Sequence, residues 1–369
     1  MKAGILGAGQ LGRMLALAAH PLGIEVSLYD PAADACAGQV ARHVAASFGN
    51  REALLGFAEG LDVVTFEWEN VPVAAADIVA EKAPFLPATN ALAAAQDRLT
   101  EKTLFRECGI ETAPFVALES RDELHAALGL IGVPAVLKTR RMGYDGKGQF
   151  VLRDAADEEA AWHALGGAPL ILEGFVPFQR ELSVICARSG DDERFYPLTE
   201  NHHVDGILRL SIAPAPRLDE ALQAAGENIA RRVARRLNYI GVLAIELFEH
   251  EGRLLANEMA TRVHNSGHWT IDGAVTSQFE NHMRAVTGLP LGSTAARGLS
   301  AMVNLIGDVP RAAEVLAVEG AHLHLYGKEP RSGRKLGHIN VTADDESTLQ
   351  SRLVAVQRVV DASASKLAR

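Results

Sequence analysis

The chain reads as an α/β unit on a parallel sheet, then a larger α+β unit, then a small C-terminal lobe. Three observations predict this. Strand-like and helix-like patterns alternate through the first ninety residues, which implies right-handed crossovers and a mostly parallel sheet. From Asp97 to about Pro290 the alternation gives way to helices and facing strands around a second glycine loop. The last portion, Leu299 to Arg369, opens on a strand and ends in a helix from about Asp345. The expected units are 1–95, 96–295 and 296–369, with a mobile lid subdomain around 115–180.

Each element has its own reason. Ala3 to Leu6 is a short apolar strand, Gly7 to Gly12 a loop, and Leu11 to Leu22 a helix. Glu25 to Asp30 and Leu61 to Phe66 carry strand patterns, with Arg51 to Ala58 helical between them, and the Ala-rich stretch Ala88 to Gln96 is a connector. A helix from Thr100 to Cys108 precedes the strand Val133 to Lys138, and Leu170 to Glu173 and Glu181 to Ile185 are further strands. A long amphipathic helix spans Leu218 to Leu237, followed by facing strands at Val242 to Phe248 and Arg253 to Glu258. Met302 to Ile306 and His322 to Tyr326 supply the strands of the last lobe.

Composition narrows the function. In 369 residues, 48% hydrophobic and 22% charged side chains suit a core-forming globular protein. The 46 acidic against 36 basic groups give −10, so nucleic acid is not an expected partner. No apolar run approaches the roughly 18 residues of a membrane span. The N-terminal stretch has no signal-peptide pattern, and Cys36, Cys108 and Cys186 are dispersed in apolar or helical surroundings. They read as reduced thiols, and a cytoplasmic protein is expected.

Five clusters carry chemistry. Gly7-Ala8-Gly9-Gln10-Leu11-Gly12 has dinucleotide-loop spacing, and Asp30 closes the next strand where a ribose-binding carboxylate would sit. An NAD-dependent oxidoreductase is therefore one reading; a helix N-terminus offering N–H groups to an anion is a weaker one. The second loop, Gly143 to Gly148, lies among Lys138, Arg140, Arg141 and Lys147, which suits a flap over phosphates, although its spacing is not that of a P-loop. Glu246 and Glu258 lie in otherwise apolar strands, with Asn257 adjacent, and would form an oxygen-rich Mg²⁺ site. Arg262, His264, Asn265 and His268 fall within eight residues, a constellation for a small planar anion; zinc on His264 and His268 is the rival. Lys328, Arg331, Arg334 and Lys335 form a basic turn that could grip a phosphate monoester.

Taken in order, these stretches resemble the ATP-grasp ligases. The likeness runs from the first glycine loop to Gly333–His338 and is most specific at Gly143–Gln149, Tyr196–Asn201 with His203–Arg209, and Arg262–Trp269. Within that family it is closest to the purine-biosynthesis branch that carboxylates aminoimidazole ribonucleotide with ATP and bicarbonate. The resemblance implies an ATP-grasp fold behind an N-terminal, Rossmann-like pre-ATP-grasp domain. It also implies that Arg98 and Lys138 contact ATP and that Gly143, Tyr144, Asp145, Gly146, Lys147, Gly148 and Gln149 cover its phosphates. Glu173, Gly174, Phe175 and Val176 would hold the adenine edge, with Glu181 on the ribose and His203 nearby.

Glu246 and Glu258 would bind Mg²⁺, with Asn257 alongside. Gln10, Leu11, Glu67 and Tyr144 would face the acceptor, and Lys328, Arg334 and Lys335 its 5′-phosphate. Arg262, His264 and Asn265 would hold bicarbonate and then carboxyphosphate, with Lys147 adding charge at the phosphates. Asp145 or His264 would take the amine proton, and strand alternation sends Glu67 and Glu69 to the same face, so the sequence chooses in neither case. The same likeness implies a homodimer. A sister ATP-grasp enzyme with another acceptor is the nearest alternative.

Overall fold

The computed structural model of the protein describes residues 1–143 and 146–367; the expected flap residues Tyr144 and Asp145 lie outside the described residues. In the N-terminal unit, β1 (Lys2–Leu6) leads into α1 (Gln10–Ala19), followed by β2 (Glu25–Asp30), β3 (Arg42–Ala45), α2 (Arg51–Ala58), β4 (Val63–Phe66) and α3 (Val73–Ala80). The expected connector contains a helix, α4 (Thr89–Ala95), because its alanines can bury without loss of side-chain entropy. α5 (Arg98–Glu107) starts where Asp97 accepts from the Leu99 and Thr100 N–H groups.

The lid comprises β5 (Phe115–Leu118), α6 (Arg121–Ile131), β6 (Ala135–Thr139), β7 (Gln149–Leu152), α7 (Glu158–Leu165) and β8 (Leu170–Gly174). The chain continues through β9 (Arg180–Ser189), β10 (Asp192–Phe195), β11 (Thr199–Val204), β12 (Ile207–Ala213), α8 (Glu220–Arg236), β13 (Gly241–His250) and β14 (Arg253–Ala260). It ends with α9 (Thr270–Gly273), α10 (Gln278–Val286), β15 (Leu299–Ile306), α11 (Ala312–Leu316), β16 (Ala321–Leu325), β17 (Lys335–Ala343) and α12 (Glu346–Leu367).

Among the described residues the strands form three sheets. The first is parallel, in the order β3-β2-β1-β4, as the alternating pattern requires. The lid sheet is antiparallel, β5-β8-β6-β7. The third, also antiparallel, runs β14-β13-β9-β11-β12-β15-β17-β16, with β10 on β9. The C-terminal strands thus extend the central sheet through the β12–β15 pairing. Lys335, expected in a basic turn, opens β17.

The central sheet buries both faces. One face carries Leu182, Val184, Cys186, Leu243, Ile245 and Leu247 against α8. The other alternates apolar with polar side chains, and Ser183, Asn201, Ser211, Asn304, His338 and Asn340 are all nearly or fully buried there. α1 packs on α10, so Met14 and Leu15 share one core with Phe279, Met283 and Trp269. His282 ties the N-terminal unit to the central sheet. Its Nδ1 accepts from the Val242 N–H at 3.1 Å, which leaves the Nε2–H to donate to Thr65 Oγ1 at 2.8 Å.

Replacing that imidazole leaves two buried polar groups unsatisfied. His282→Phe should lose about 2–6 kcal/mol at neutral pH, at about 1–3 kcal/mol for each group. Burial pushes the His282 pKa down to about 3 from an ordinary 6.5, so the folded state resists protonation. The stability that the neutral ring supplies is full above about pH 6.5 and is lost as pH falls toward 3. Urea unfolding from pH 8 to 4 should therefore show the gap between wild type and variant narrowing below about pH 6.5.

Candidate active site

One cavity of about 800 Å³ opens between the lid, the central sheet and the N-terminal loop. Its floor is the carboxylate pair. Glu246 on β13 stands directly opposite Glu258 on β14, and the register slips by one residue just beyond them. That bulge places Asn257 on the cavity side beside Glu258. Like charges facing across a ladder repel unless a cation lies between them. Burial and Glu258 raise the Glu246 pKa, whereas Glu258 stays low despite its burial because Arg98 donates to it at 2.8 Å. Asn257 Oδ1 is buried without a hydrogen-bond partner. Two carboxylates and an unsatisfied amide oxygen suit Mg²⁺, which prefers few protein ligands and fills its shell with water and phosphate oxygens. Among the described residues no group of three or more His, Cys, Asp or Glu side chains is placed to hold a metal.

The cations expected around the second loop divide by role. Arg140 grips Asp97 through two bonds of 2.9 and 3.1 Å, and Arg141 reaches the same carboxylate at 3.2 Å. Both therefore anchor the lid to the start of α5. Lys138 and Lys147 line the cavity. Lys138 Nζ lies 3.0 Å from Glu173, and Lys102, a fully buried lysine that sequence reasoning missed, lies 3.1 Å from the same oxygen. Burial opposes charge on Glu173, but the two lysines hold its carboxyl down to about 2. The Glu173 side chain is thus the counter-ion of a lysine pair, and Gly174, Phe175 and Val176 line the cavity beside it. Gly148 secures the flap: its carbonyl accepts from Thr139 N–H at 2.8 Å. Gly146 sits at φ +75°, where an added Cβ would meet the Asp205 carbonyl at 2.7 Å, so the flap rests against the β11–β12 turn. On β11, His203 bonds Glu181 at 2.8 Å; burial would depress its pKa, but that contact raises it.

The first glycine loop commits four of its six N–H groups, those of Gly7, Ala8, Gly9 and Gly12, within the protein. Gly9 and Gly12 donate to Glu67 at 2.9 and 3.3 Å, and Ala8 donates to Asp30 at 3.1 Å. Gly7, at φ +97°, lets Glu67 approach, since a Cβ there would lie 2.7 Å from its Oε1. With Asp30 and the loop amides engaged internally, the dinucleotide reading falls. What the loop presents to the cavity is Gln10 and Leu11. Gln10 accepts from Lys328, which joins the loop to the C-terminal turn. Lys335 lines the cavity; Arg334 donates to the Glu329 carbonyl and lies outside the lining.

Glu67 and Glu69 both reach the cavity, but Glu69 pairs with Arg262 at 2.8 Å and accepts from Thr261 N–H at 3.0 Å. Glu69 is therefore what orients Arg262, a role the sequence reading left unassigned. Asn265 exchanges amide bonds of 3.1 and 2.7 Å with Asn304, so only part of its amide stays available to a ligand. His264 is clamped by Gln278, which accepts from its N–H at 3.0 Å and donates to its carbonyl at 2.6 Å. Burial, then the neighbouring Arg262, pushes the His264 imidazole down to about 3. The ring is therefore held neutral, and its Nε2 lies 3.3 Å from Glu246 Oε1.

A lid sheet closing over a sheet that bears a carboxylate pair defines the ATP-grasp class, and residues 103–279 match the ATP-grasp domain family. Residues 1–96 match the ribonucleotide synthetase preATP-grasp domain, and 300–352 the phosphoribosylaminoimidazole carboxylase C-terminal domain. The chain belongs to the N5-carboxyaminoimidazole ribonucleotide synthase family. It is 52% identical to the protein of that name from Pseudomonas aeruginosa, over 98% of this chain and 100% of the relative. The Bacillus subtilis protein is 42% identical over 93% of this chain and 92% of its own. The Thermus thermophilus N5-carboxyaminoimidazole ribonucleotide synthetase crystal structure superposes with TM-score 0.93 at 55% identity, covering 97% of this chain and 98% of its own. An Aspergillus clavatus N5-carboxyaminoimidazole synthase complex with ADP and 5-aminoimidazole ribonucleotide has TM-score 0.92 at 35% identity, covering 98% of both chains.

The lysine pair under the lid supplies a direct test. Glu173→Gln strands two buried ammonium groups and should destabilise the fold by about 3–5 kcal/mol, the cost of breaking a buried pair. Lys102→Met in the same background should recover part of that loss. Urea unfolding of the single and double variants measures both.

Proposed function

We propose that the protein carboxylates 5-aminoimidazole ribonucleotide to 5-carboxyaminoimidazole ribonucleotide, using ATP and bicarbonate, in de novo purine biosynthesis. The observation that carries this reading is that a single cavity is bounded by the lid, by the Glu246–Glu258 pair and by Gln10, whose side chain Lys328 holds from behind the lining. Nucleotide, anion and acceptor can then meet without leaving it. Family membership supports the same reaction.

ATP lies under the lid, with adenine against Gly174–Val176, its ribose at Glu181 and His203, and its phosphates between Lys138, Lys147 and Arg98. Glu246, Glu258 and Asn257 hold Mg²⁺, which neutralises phosphate charge when bound. Bicarbonate sits at Arg262, His264 and Asn265. Its oxygen attacks the γ-phosphorus, the bond to ADP breaks, and carboxyphosphate forms. Arg262, held by Glu69, offers a guanidinium to the anion before and after transfer. Carboxyphosphate decays in water, so the flap must exclude solvent while CO₂ passes to the exocyclic amine, which loses a proton as phosphate departs.

Lys328, Lys335 and Arg334 grip the acceptor's 5′-phosphate, Arg334 from the cavity rim. Tyr144 and Asp145 remain part of the proposed flap, Asp145 as a candidate for the amine proton. Glu67 acts by capping the loop that carries Gln10 and Leu11. We include a homodimer in the proposal, checked by sedimentation velocity. No described helix is long and apolar enough to cross a membrane.

ADP release and carboxylated product, measured together with aminoimidazole ribonucleotide, glycinamide ribonucleotide or biotin as acceptor, test the assignment; product with either of the latter two alone refutes it. Glu258→Gln removes both a proposed metal ligand and the partner of Arg98, and kcat should fall at least about hundredfold. Lys328→Ala should raise the KM for the acceptor about ten- to hundredfold, one charge-assisted contact, and leave the KM for ATP within about twofold. Equal rises in both constants would show that the phosphate grip lies elsewhere.

A further inference from the structure

A line of buried polar side chains runs through the central sheet to His264, and nothing in the reaction as described uses it. Ser211 Oγ on β12 donates to Asn201 Oδ1 on β11 at 2.8 Å. Asn201 Nδ2 donates to Ser183 Oγ on β9 at 3.1 Å. Ser183 donates in turn to Ser266 Oγ at 2.7 Å, and Ser266 Oγ lies 2.9 Å from His264 Nδ1. Ser211, Ser183 and Ser266 are fully buried and Asn201 is 4% exposed. Each hydroxyl has one proton, so accepting from one neighbour directs it to donate to the next.

The direction is set independently at the far end. The backbone N–H of Ser266 points at the same His264 Nδ1 at 3.3 Å, and a backbone N–H can only donate. Two donors converge on Nδ1, so that nitrogen carries a lone pair and the imidazole proton sits on Nε2. Nε2 faces the cavity floor, 3.3 Å from Glu246 Oε1. Gln278 fixes the backbone of His264 on both sides, and turning the ring about Cβ–Cγ would break both contacts to Nδ1.

We propose that Ser266, Ser183, Asn201 and Ser211 are positioning residues that lock His264 as its Nε2–H tautomer, so that His264 serves the reaction as a hydrogen-bond donor and not as the base that takes the amine proton. The second half of this statement rests on the carboxylation reading; the first does not. The nitrogen that faces the reactants already bears its proton, and the one with a free pair is turned into the sheet. A fixed N–H aimed at the anion site stabilises negative charge on bicarbonate and on the carboxyphosphate formed from it. The amine proton must then leave through another group.

The test reads the tautomer and the rates. In ¹⁵N-histidine-labelled protein, with His264 assigned by comparison with His264→Gln, long-range proton–nitrogen correlation should show Nε2 protonated and Nδ1 not. Ser266→Ala removes one of the two donors to Nδ1 and keeps the backbone one, so the Nδ1–H form should become detectable beside the Nε2–H form and kcat fall roughly tenfold, about one hydrogen bond, with the KM for ATP unchanged. Ser183→Ala, should Ser266→Ala fail to fold, should shift the tautomer in the same direction. His264→Gln, which keeps an N–H donor, should retain more activity than the 10²–10⁴-fold loss, in order of magnitude, that follows removal of a general base.

Wild-type His264 with its proton on Nδ1 would overturn the proposal, and so would serine variants with wild-type tautomer and wild-type kcat. A His264→Gln loss of a full general base's magnitude would overturn the donor role. An Nε2–H tautomer in an enzyme that carboxylates no aminoimidazole ribonucleotide would refute the reaction proposed above and leave the tautomer established.

Discussion

A sheet face that is both buried and polar must satisfy itself, and this constraint organises the protein. Ser183, Asn201, Ser211, Asn304, His338 and Asn340 project from neighbouring strands into a region closed to solvent. Each would cost a few kcal/mol if left unpaired, so the segment laid over them has to be polar in register. Arg262–Trp269 and the short α9 meet most of that demand, leaving His338 Nε2 and Asn340 Oδ1 without a partner. Asn304 pairs with Asn265, Ser183 with Ser266, Asn340 with the His268 carbonyl and with Asp272, and Trp269 Nε1 donates to Thr199 at 3.0 Å. The groups that face the reactants are held because their opposite ends are already committed to the sheet.

The same economy governs charge. Asp97 caps α5 and also gathers Arg140 and Arg141, so one carboxylate fixes both the helix that carries Arg98 and the base of the lid. Glu173 neutralises Lys102 and Lys138 on the lid's inner strand. Buried pairs of this kind add little net stability over apolar packing, but losing one member is expensive. Their use here is positional: the lid can approach only where Arg140 and Arg141 find Asp97 and where its own Glu173 finds Lys102 on α5. Lys138 then presents to the cavity an ammonium that is already desolvated and oriented.

The proposed acceptor end is assembled from opposite ends of the chain. Gln10 lies in the first helical turn and Lys328 more than three hundred residues later, yet they touch. Gln39 also reaches the Gly327 carbonyl, at 3.3 Å. The packing of α1 on α10 and the His282 bridge bring the N-terminal sheet close enough for this. A site divided in this way depends on the relative placement of the units, so a core change between them should act on acceptor binding as well as on stability.

Much of the site was legible in the order of residues. The glycine loops, the strand carboxylates Glu246 and Glu258, and the Arg262–Trp269 run are local patterns, and local patterns survive being read one segment at a time. The parallel N-terminal sheet followed from alternation for the same reason. The fully buried face between strands was not legible, because a serine at position 183 or an asparagine at 304 has no signature until the partner strand is known. Lys102 was missed since a lysine on a helix usually faces water, and only the lid's Glu173 makes its burial tolerable. The glycine-loop motif was misleading in isolation: its amides look free in the sequence, and it takes β4, sixty residues on, to bring Glu67 onto them. Sequence determined which chemical groups the protein has and on which elements they ride. Tertiary structure decided which of them are spent on each other and which remain for substrate, because hydrogen bonds and ion pairs saturate, and saturation depends on neighbours that are distant in the chain.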